Sequence, residues 1–307
     1  NTQLINSTSG HSLWSERFTR DLTDLFEIQD EIVRNIVATL AVKVDVEERK
    51  RAQRSDPENL QAYDYVLRGR ELRARTSRSA NAEARKMIRE AIELDPQYGL
   101  AYVELGWIYM DAIRFGWTSS PSRTLQQAYD LAQKALTFDK RLGSAHRLLA
   151  TTYYKRQKYD LASSEIDRAL KLNPNDADAY DALGAVKLYD GESGGAIKAV
   201  NTALRFNPNL GPSGLIHLGL AYYLEGQYQD AIKTFDVALG KNPRLVVPHV
   251  GLTASYAMSN DSSKAEKAAA KVRLLNPFFK VDAFGNAFRR DEDRQNIREG
   301  LRKAGLN

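Results

Sequence analysis

The sequence predicts an all-α fold, a solenoid of stacked helix pairs, with a short β-hairpin at its N-terminus. Three observations carry this. First, similar endings recur: Ala169-Leu170-Lys171-Leu172-Asn173-Pro174 and Ala203-Leu204-Arg205-Phe206-Asn207-Pro208 put their prolines 34 residues apart. Four further endings, at Pro96, Lys140, Pro243 and Pro277, extend the series with intervals of 44, 34, 34, 35 and 34 residues. A fixed period on helical patterning marks helix pairs that bury their apolar faces on copies of themselves. Second, within the units a small residue is followed twelve positions later by Ala162, Ala196, Ala231 or Ala265, which lets two helices approach closely. Third, the chain of 307 residues is 43% hydrophobic and 27% charged, the balance of a folded protein.

Taken in order, Thr2-Gln3-Leu4-Ile5-Asn6 and Ser12 to Phe18 read as short strands, and Ser7-Thr8-Ser9-Gly10-His11 as the turn between them. Two strands alone are marginal in water, so their edges should seek a partner, and a homodimer through this hairpin and the helix after it, pairing attached signalling domains, is one reading. Asp21 is placed to cap a long helix within residues 21–60. Leu22, Leu25, Phe26, Ile32, Val33, Ile36, Val37 and Leu40 form its apolar stripe, the helix runs on to about Arg54, and the stripe is expected to cap the start of the solenoid. The N-terminus Asn1-Thr2-Gln3 has no signal-peptide pattern and reads as a chain cut from something longer. After Pro277, residues 281–288 and 291–304 are expected to form helices that cap the array.

The spacing Leu105-Gly106-x-x-Tyr109, repeated at Leu218-Gly219-x-x-Tyr222 with variants at Leu183-Gly184 and Leu149-Ala150, resembles the tetratricopeptide repeat (TPR). The resemblance covers residues 61–279. Five units fit well (99–142, 143–176, 177–211, 212–245 and 246–279), and a looser one precedes them at about 62–98. It implies a right-handed superhelix and no catalysis. The 44-residue unit should carry its extra residues as an enlarged loop around Trp117. A second resemblance rests on Leu13-Trp14-Ser15-Glu16-Arg17-Phe18 with Phe26-x-x-Gln29-Asp30-Glu31-Ile32. It is to bacterial signalling proteins in which a TolB-like domain joins TPRs, often behind an adenylate or guanylate cyclase domain. It implies that residues 1–20 are the last hairpin of such a domain and residues 21–60 a connecting helix. The array would then be the regulatory region of a cyclase-type protein. A cyclase domain itself is absent from this sequence. A cytoplasmic site follows, or a periplasmic one if a span lies upstream.

Catalytic and metal chemistry is poorly supported. Gly191-Glu192-Ser193-Gly194-Gly195 fits G-x-S-x-G but falls between two helices of a repeat, not after a strand, so it reads as a turn. His11, His146, His217 and His249 make no metal-binding spacing, and the chain has no Cys. Asp176, Asp178 and Asp181 miss the calcium-loop spacing, and Asp176 or Asp178 should cap a helix. No cofactor is implied, and no run of 18 apolar residues could span a membrane.

What remains is the concave surface. In TPR arrays the first helices of successive units line a groove. The resemblance places Trp107, Arg147, Thr151, Tyr154, Lys155, Asp178, Asp181, Tyr189, His217 and Tyr223 there, with a protein or peptide segment as partner. The Lys/Asn clamp for peptide C-termini is not evident, since Val103, Trp107, Arg147 and Leu148 stand at its positions. Residues 49–89 hold twelve Lys/Arg against five Asp/Glu. That zone reads chiefly as solvated helix faces, with nucleic acid as a weaker alternative partner.

Overall fold

The computed structural model describes the strands Thr2–Ile5 (β1) and Ser12–Glu16 (β2) and residues 59–307. The chain divides into two compact units, residues 1–57 and 58–307. In the first, β1 and β2 pair antiparallel with Leu4 opposite Trp14, as expected for a hairpin. The expected turn at residues 7–11 and the helix at 21–60 lie outside the described residues.

The second unit contains six helix pairs, followed by a C-terminal segment. They are α1 (Leu60–Ala74) with α2 (Arg78–Leu94), α3 (Gly99–Arg114) with α4 (Pro121–Phe138), and α5 (Gly143–Lys155) with α6 (Tyr159–Leu172). There follow α7 (Ala177–Asp190) with α8 (Ser193–Phe206), α9 (Pro212–Leu224) with α10 (Tyr228–Lys241), and α11 (Val246–Met258) with α12 (Ser262–Leu275). Each pair packs internally, and each second helix packs on the next first helix, as a solenoid requires.

The recurrent endings have a common mechanism. Asn173 leaves the helix for extended backbone at φ −140°, ψ 94°, as the residue before a proline must. Its Oδ1 then accepts the N–H of Asn175 at 3.1 Å. Asp95, Asp139, Asn207, Asn242 and Asn276 make the same bond two residues on, at 2.8–3.2 Å. This local turn stops each second helix and starts the next layer. It works at Asp139 without a following proline. Asp176 accepts the Ala179 N–H at 3.1 Å and caps α7, as expected.

Small residues set the helix spacing. A Cβ on Gly184 would lie 2.4 Å from Val200, and one on Gly106 2.3 Å from Leu148. The tightest place is Phe235 of α10, fully buried between Gly219 of α9 and Gly251 of α11. A Cβ on Gly219 would lie 2.5 Å from its ring, and one on Gly251 2.2 Å away.

Two expectations need correction. The extra residues of the unit at 99–142 mostly lengthen its helices. Helices α3 and α4 have 16 and 18 residues against 13 and 14 in the next pair, and the connecting loop at 115–120 takes only the remainder. Trp117 of that loop stacks on Phe115 with centroids 4.8 Å apart. Residues 281–288, expected as helix, form one 3₁₀ turn (Val281–Ala283) followed by irregular chain. Gly285 at φ +84° breaks the helical path there.

The last helix, α13 (Asp291–Lys303), does not stack as a further layer. It packs on α11 and α9, the first helices of their pairs, with Ile297 and Leu301 fully buried. The segment before it runs along the same face back to α7. The chain therefore covers part of its own concave surface.

Candidate functional site

The first helices place the sequence-predicted residues in two groups. Trp107, Arg147, Thr151, Tyr154, Lys155, Asp178, Asp181 and His217 line one open cavity of about 430 Å³ along α3, α5, α7 and α9. Tyr189 and Tyr223 do not. Phe288 covers Tyr189, with ring centroids 5.1 Å apart, and Tyr223 is fully buried beneath α13. They were expected in an open groove; the chain's own C-terminal segment occupies their place because α13 offers Gly300 where the Tyr223 hydroxyl must fit.

At one end of the cavity, Trp107 is flanked by two guanidinium groups, Arg147 at 5.0 Å and Arg73 at 5.9 Å from the ring centroid. Arg73 is held by Asp111 at 2.7 Å and Glu104 at 3.0 Å, and Arg70 reaches Glu104 at 2.8 Å. These pairs tie α1 to α3 and neutralise part of the basic zone. Arg68 and Arg75 pair locally with Asp64 and Glu71. That agrees with solvated helix faces. Arg147 pairs with Asp178 at 3.1 Å. Its Nε lies 3.9 Å from Asp176, too far for a hydrogen bond. Arg147 Nε and Trp107 Nε1 are buried donors without a hydrogen-bond partner among the described residues.

At the other end, Tyr154 and Tyr189 stack nearly parallel, 5° apart at 6.0 Å, and His217 meets Tyr189 edge-on. Burial, reinforced by Tyr154, pushes the Tyr189 hydroxyl up to about 12. Burial first and Asp181 second raise that of Tyr154. Both therefore stay protonated donors at neutral pH. Lys155 lies 4.9 Å over the Tyr154 ring, and His217 Nδ1 is 3.4 Å from Asp181. Thr151 donates to the Arg147 carbonyl. Arg114 and Lys155 line the cavity without a carboxylate partner among the described residues.

Sequence reasoning missed Arg73, Asp111 and Arg114, which also line this cavity. Arg73 belongs to the loosely matched first pair, where no repeat position flagged it. Elsewhere the bland readings hold. Ser193 begins α8, and its Oγ donates to Glu225. Gly191 ends α7 in the left-handed region at φ +94°. His146 is a core residue, its Nδ1 2.6 Å from Glu165 and its Nε2 3.0 Å from the Lys140 carbonyl. Both partners are acceptors, which favours the doubly protonated ring and raises the His146 pKa, chiefly through the hydrogen bond with Glu165. Among the described residues there is no metal-binding cluster, and no helix is long and apolar enough to cross a membrane.

A family model described as Tetratricopeptide repeat matches residues 147–210 and 182–245. A curated protein of Rhizobium meliloti (strain 1021), provisionally named adenylate cyclase 3, is 33% identical over 162 residues, or 53% of this chain. The aligned part is 28% of that relative's length. Pseudomonas aeruginosa PilF superposes with TM-score 0.53 at 19% identity, covering 71% of this chain and 93% of its own. PilW, a type IV pilus biogenesis factor, gives 0.55 at 17% identity over 72% and 96%. The APC/C hetero-tetramer Cut9–Hcn1 gives 0.57 at 16% identity over 78% and 46%. At these identities the likeness is one of fold. Residues 147–245 are therefore tetratricopeptide repeats, and the helical unit around them has the all-α fold of a TPR solenoid.

Proposed function

We propose that the open half of the groove binds a carboxylate-bearing segment of a partner protein, and that the array is the regulatory region of a cyclase-type bacterial signalling protein. The observation that carries the first part is the pair of buried donors, Trp107 Nε1 and Arg147 Nε, beside the same cavity. An indole N–H and a guanidinium can only donate. Left without acceptors, such groups cost about 1–3 kcal/mol each. Arg114 and Lys155 add positive charge that no carboxylate among the described residues pairs with. Aromatic residues with Arg are also the side chains on which interface energy concentrates. The second part rests on the partial likeness to the Rhizobium meliloti protein, together with the residue pattern at Leu13–Phe18 and Phe26–Ile32. In this reading residues 1–20 end a TolB-like domain, 21–60 connect, 61–279 form six TPR units, and a cytoplasmic site follows.

The test uses fluorescein-labelled twelve-residue peptides rich in Asp and Glu, titrated into the chain and followed by anisotropy. Binding that Arg147→Ala or Trp107→Ala reduces at least tenfold is expected. Absence of binding, or binding indifferent to both substitutions, refutes the groove. A second reading, self-association through the N-terminal hairpin and the Asp21–Arg54 helix, is favoured by one observation: among the described residues β1 and β2 form a two-stranded sheet with no third strand. Light scattering showing a monomer at tens of micromolar removes it.

A further inference from the structure

We propose that the surface around Tyr189 and Asp190 is a second peptide site, specific for an aromatic residue followed by arginine. In this chain Phe288 and Arg289 hold it, and a protein segment of the same chemistry can take it in their place. The proposal rests on the reading of the concave face as a peptide-binding surface, and extends it to the half that the chain itself covers.

The contacts are those of a bound peptide. The Arg289 N–H donates to the Tyr189 carbonyl at 2.7 Å. The Tyr159 hydroxyl donates to the Ala287 carbonyl, and Gln157 Nε2 to the Asn286 carbonyl at 3.2 Å. These three bonds address main chain and read no sequence. Two side chains do the reading. The Phe288 ring is 2% exposed and packs on Tyr189. The Arg289 guanidinium reaches Asp190 at 2.6 Å and Asp160 at 3.4 Å. A ring recess beside two carboxylates selects an aromatic–arginine pair and rejects an aromatic–acidic one.

The site belongs to the repeats and not to the segment that fills it. Its residues come from the α5–α6 turn, the start of α6 and the end of α7. Tyr189 offers its carbonyl because the last turn of a helix has no internal donor for it. The stacked Tyr154 ring fixes the Tyr189 side chain from the other side. The bound segment, in contrast, forms no regular helix or strand, and α13 ties to it through side chains: Arg298 donates to the Phe284 carbonyl at 3.1 Å and to Asn286 Oδ1 at 2.6 Å, and Arg294 to the Phe288 carbonyl. Residues 284–290 lie between a 3₁₀ turn and α13, with Gly285 in the left-handed region. Helix α13 has anchors of its own in Ile297, Leu301 and the bond from the Tyr223 hydroxyl to the Asn296 carbonyl at 3.0 Å, although Ile297 and Leu301 share one buried cluster with Phe288. When Phe288 and Arg289 leave, α13 gives up the Arg294 bond to the Phe288 carbonyl and the packing of the Phe288 ring but keeps these anchors, and so stays docked. Tethering gives them a high effective concentration, so the site is closed by default and an incoming segment binds with reduced apparent affinity.

The probe is the labelled peptide Phe-Gly-Asn-Ala-Phe-Arg-Arg-Asp, copied from residues 284–291. It is titrated into the full chain and into the Phe288→Ala/Arg289→Ala variant, whose fold is checked by circular dichroism. The vacated variant is expected to bind at least tenfold more tightly than the unaltered chain. Adding Asp190→Asn to it should remove most of that gain. Equal affinity for the two proteins, or no effect of Asp190→Asn, overturns the proposal. If the double variant fails to fold, hydrogen exchange of residues 284–290 in the unaltered chain decides. An excess of unlabelled peptide should speed it at least severalfold, and no change refutes exchange. The acidic peptides that test the open half are read through Arg147 and Trp107. The basic peptide is read through Asp190, so either site can fail alone.

Discussion

Gly251 and Gly240 are both helical glycines, yet changing each to alanine should have opposite effects. In an open helix position the change stabilises by about 1 kcal/mol, because glycine carries the larger entropy cost. Gly240 in α10 is such a position, since a Cβ there meets nothing within 4 Å. At Gly251 the same Cβ would lie 2.2 Å and 2.3 Å from two atoms of the Phe235 ring. The ring cannot retreat, because the main chain at Gly219 closes its other side. Overpacking of this kind costs about 1–3 kcal/mol, and the close approach on both sides puts it in the upper part of that range. After the helix gain is subtracted, Gly251→Ala should lose about 1–2 kcal/mol and Gly240→Ala should gain about 1 kcal/mol. Urea titration followed by helical circular dichroism reads the difference as displaced midpoints. Adding Phe235→Leu to Gly251→Ala should cost less than the sum of the two single changes, because the pair shares one contact. If Gly251→Ala stabilises as Gly240→Ala does, the ring is not wedged, and the account of small residues setting the helix spacing is wrong.

Two further outcomes follow from buried polar groups. Tyr223→Phe removes the hydroxyl that donates to the Asn296 carbonyl. It should cost about 1 kcal/mol and speed hydrogen exchange in α13 while sparing α1 to α4. His146 has its pKa raised, chiefly by the hydrogen bond with Glu165. The bound proton therefore stabilises the fold fully below the ordinary histidine value of about 6.5, and that contribution fades as pH climbs through the raised value. Thermal melts should show stability falling from pH 6 towards pH 8.5 in the unaltered chain and a flatter profile in His146→Gln. Equal slopes would remove His146 as the cause.

The helix pairs were legible because a repeat states its structure several times. The Asn or Asp at each ending, the proline after most of them and the small residue opposite an alanine are local chemistry repeated at one spacing. The groove candidates came from the resemblance to TPR arrays, and eight of the ten named line one cavity. The covering of Tyr189 and Tyr223 was not. Phe288 and Arg289 belong to no repeat, and their partners lie far back in the chain: Asp190 is 99 residues away and Gln157 is separated from Asn286 by 129. Ile297, Gly300, Leu301 and Ala304 do form a stripe at helical spacing. A stripe shows that a helix packs, but not on which face of the solenoid. Arg73 and Arg114 were missed because charge outside the repeat signature looks the same whether it faces solvent or a cavity.

The path of residues 286–289 also bears on synthesis. A solenoid pairs each unit with its neighbour, so α5 to α8 can fold as soon as they emerge. The segment that fills their concave face emerges about 100 residues later, which at ordinary translation rates is roughly 5–20 s. Throughout that interval the nascent array carries its Tyr189 recess and the Asp160 and Asp190 carboxylates uncovered. A partner bearing an aromatic–arginine segment meets no tethered competitor then, so complexes formed on the ribosome and complexes formed after release can differ.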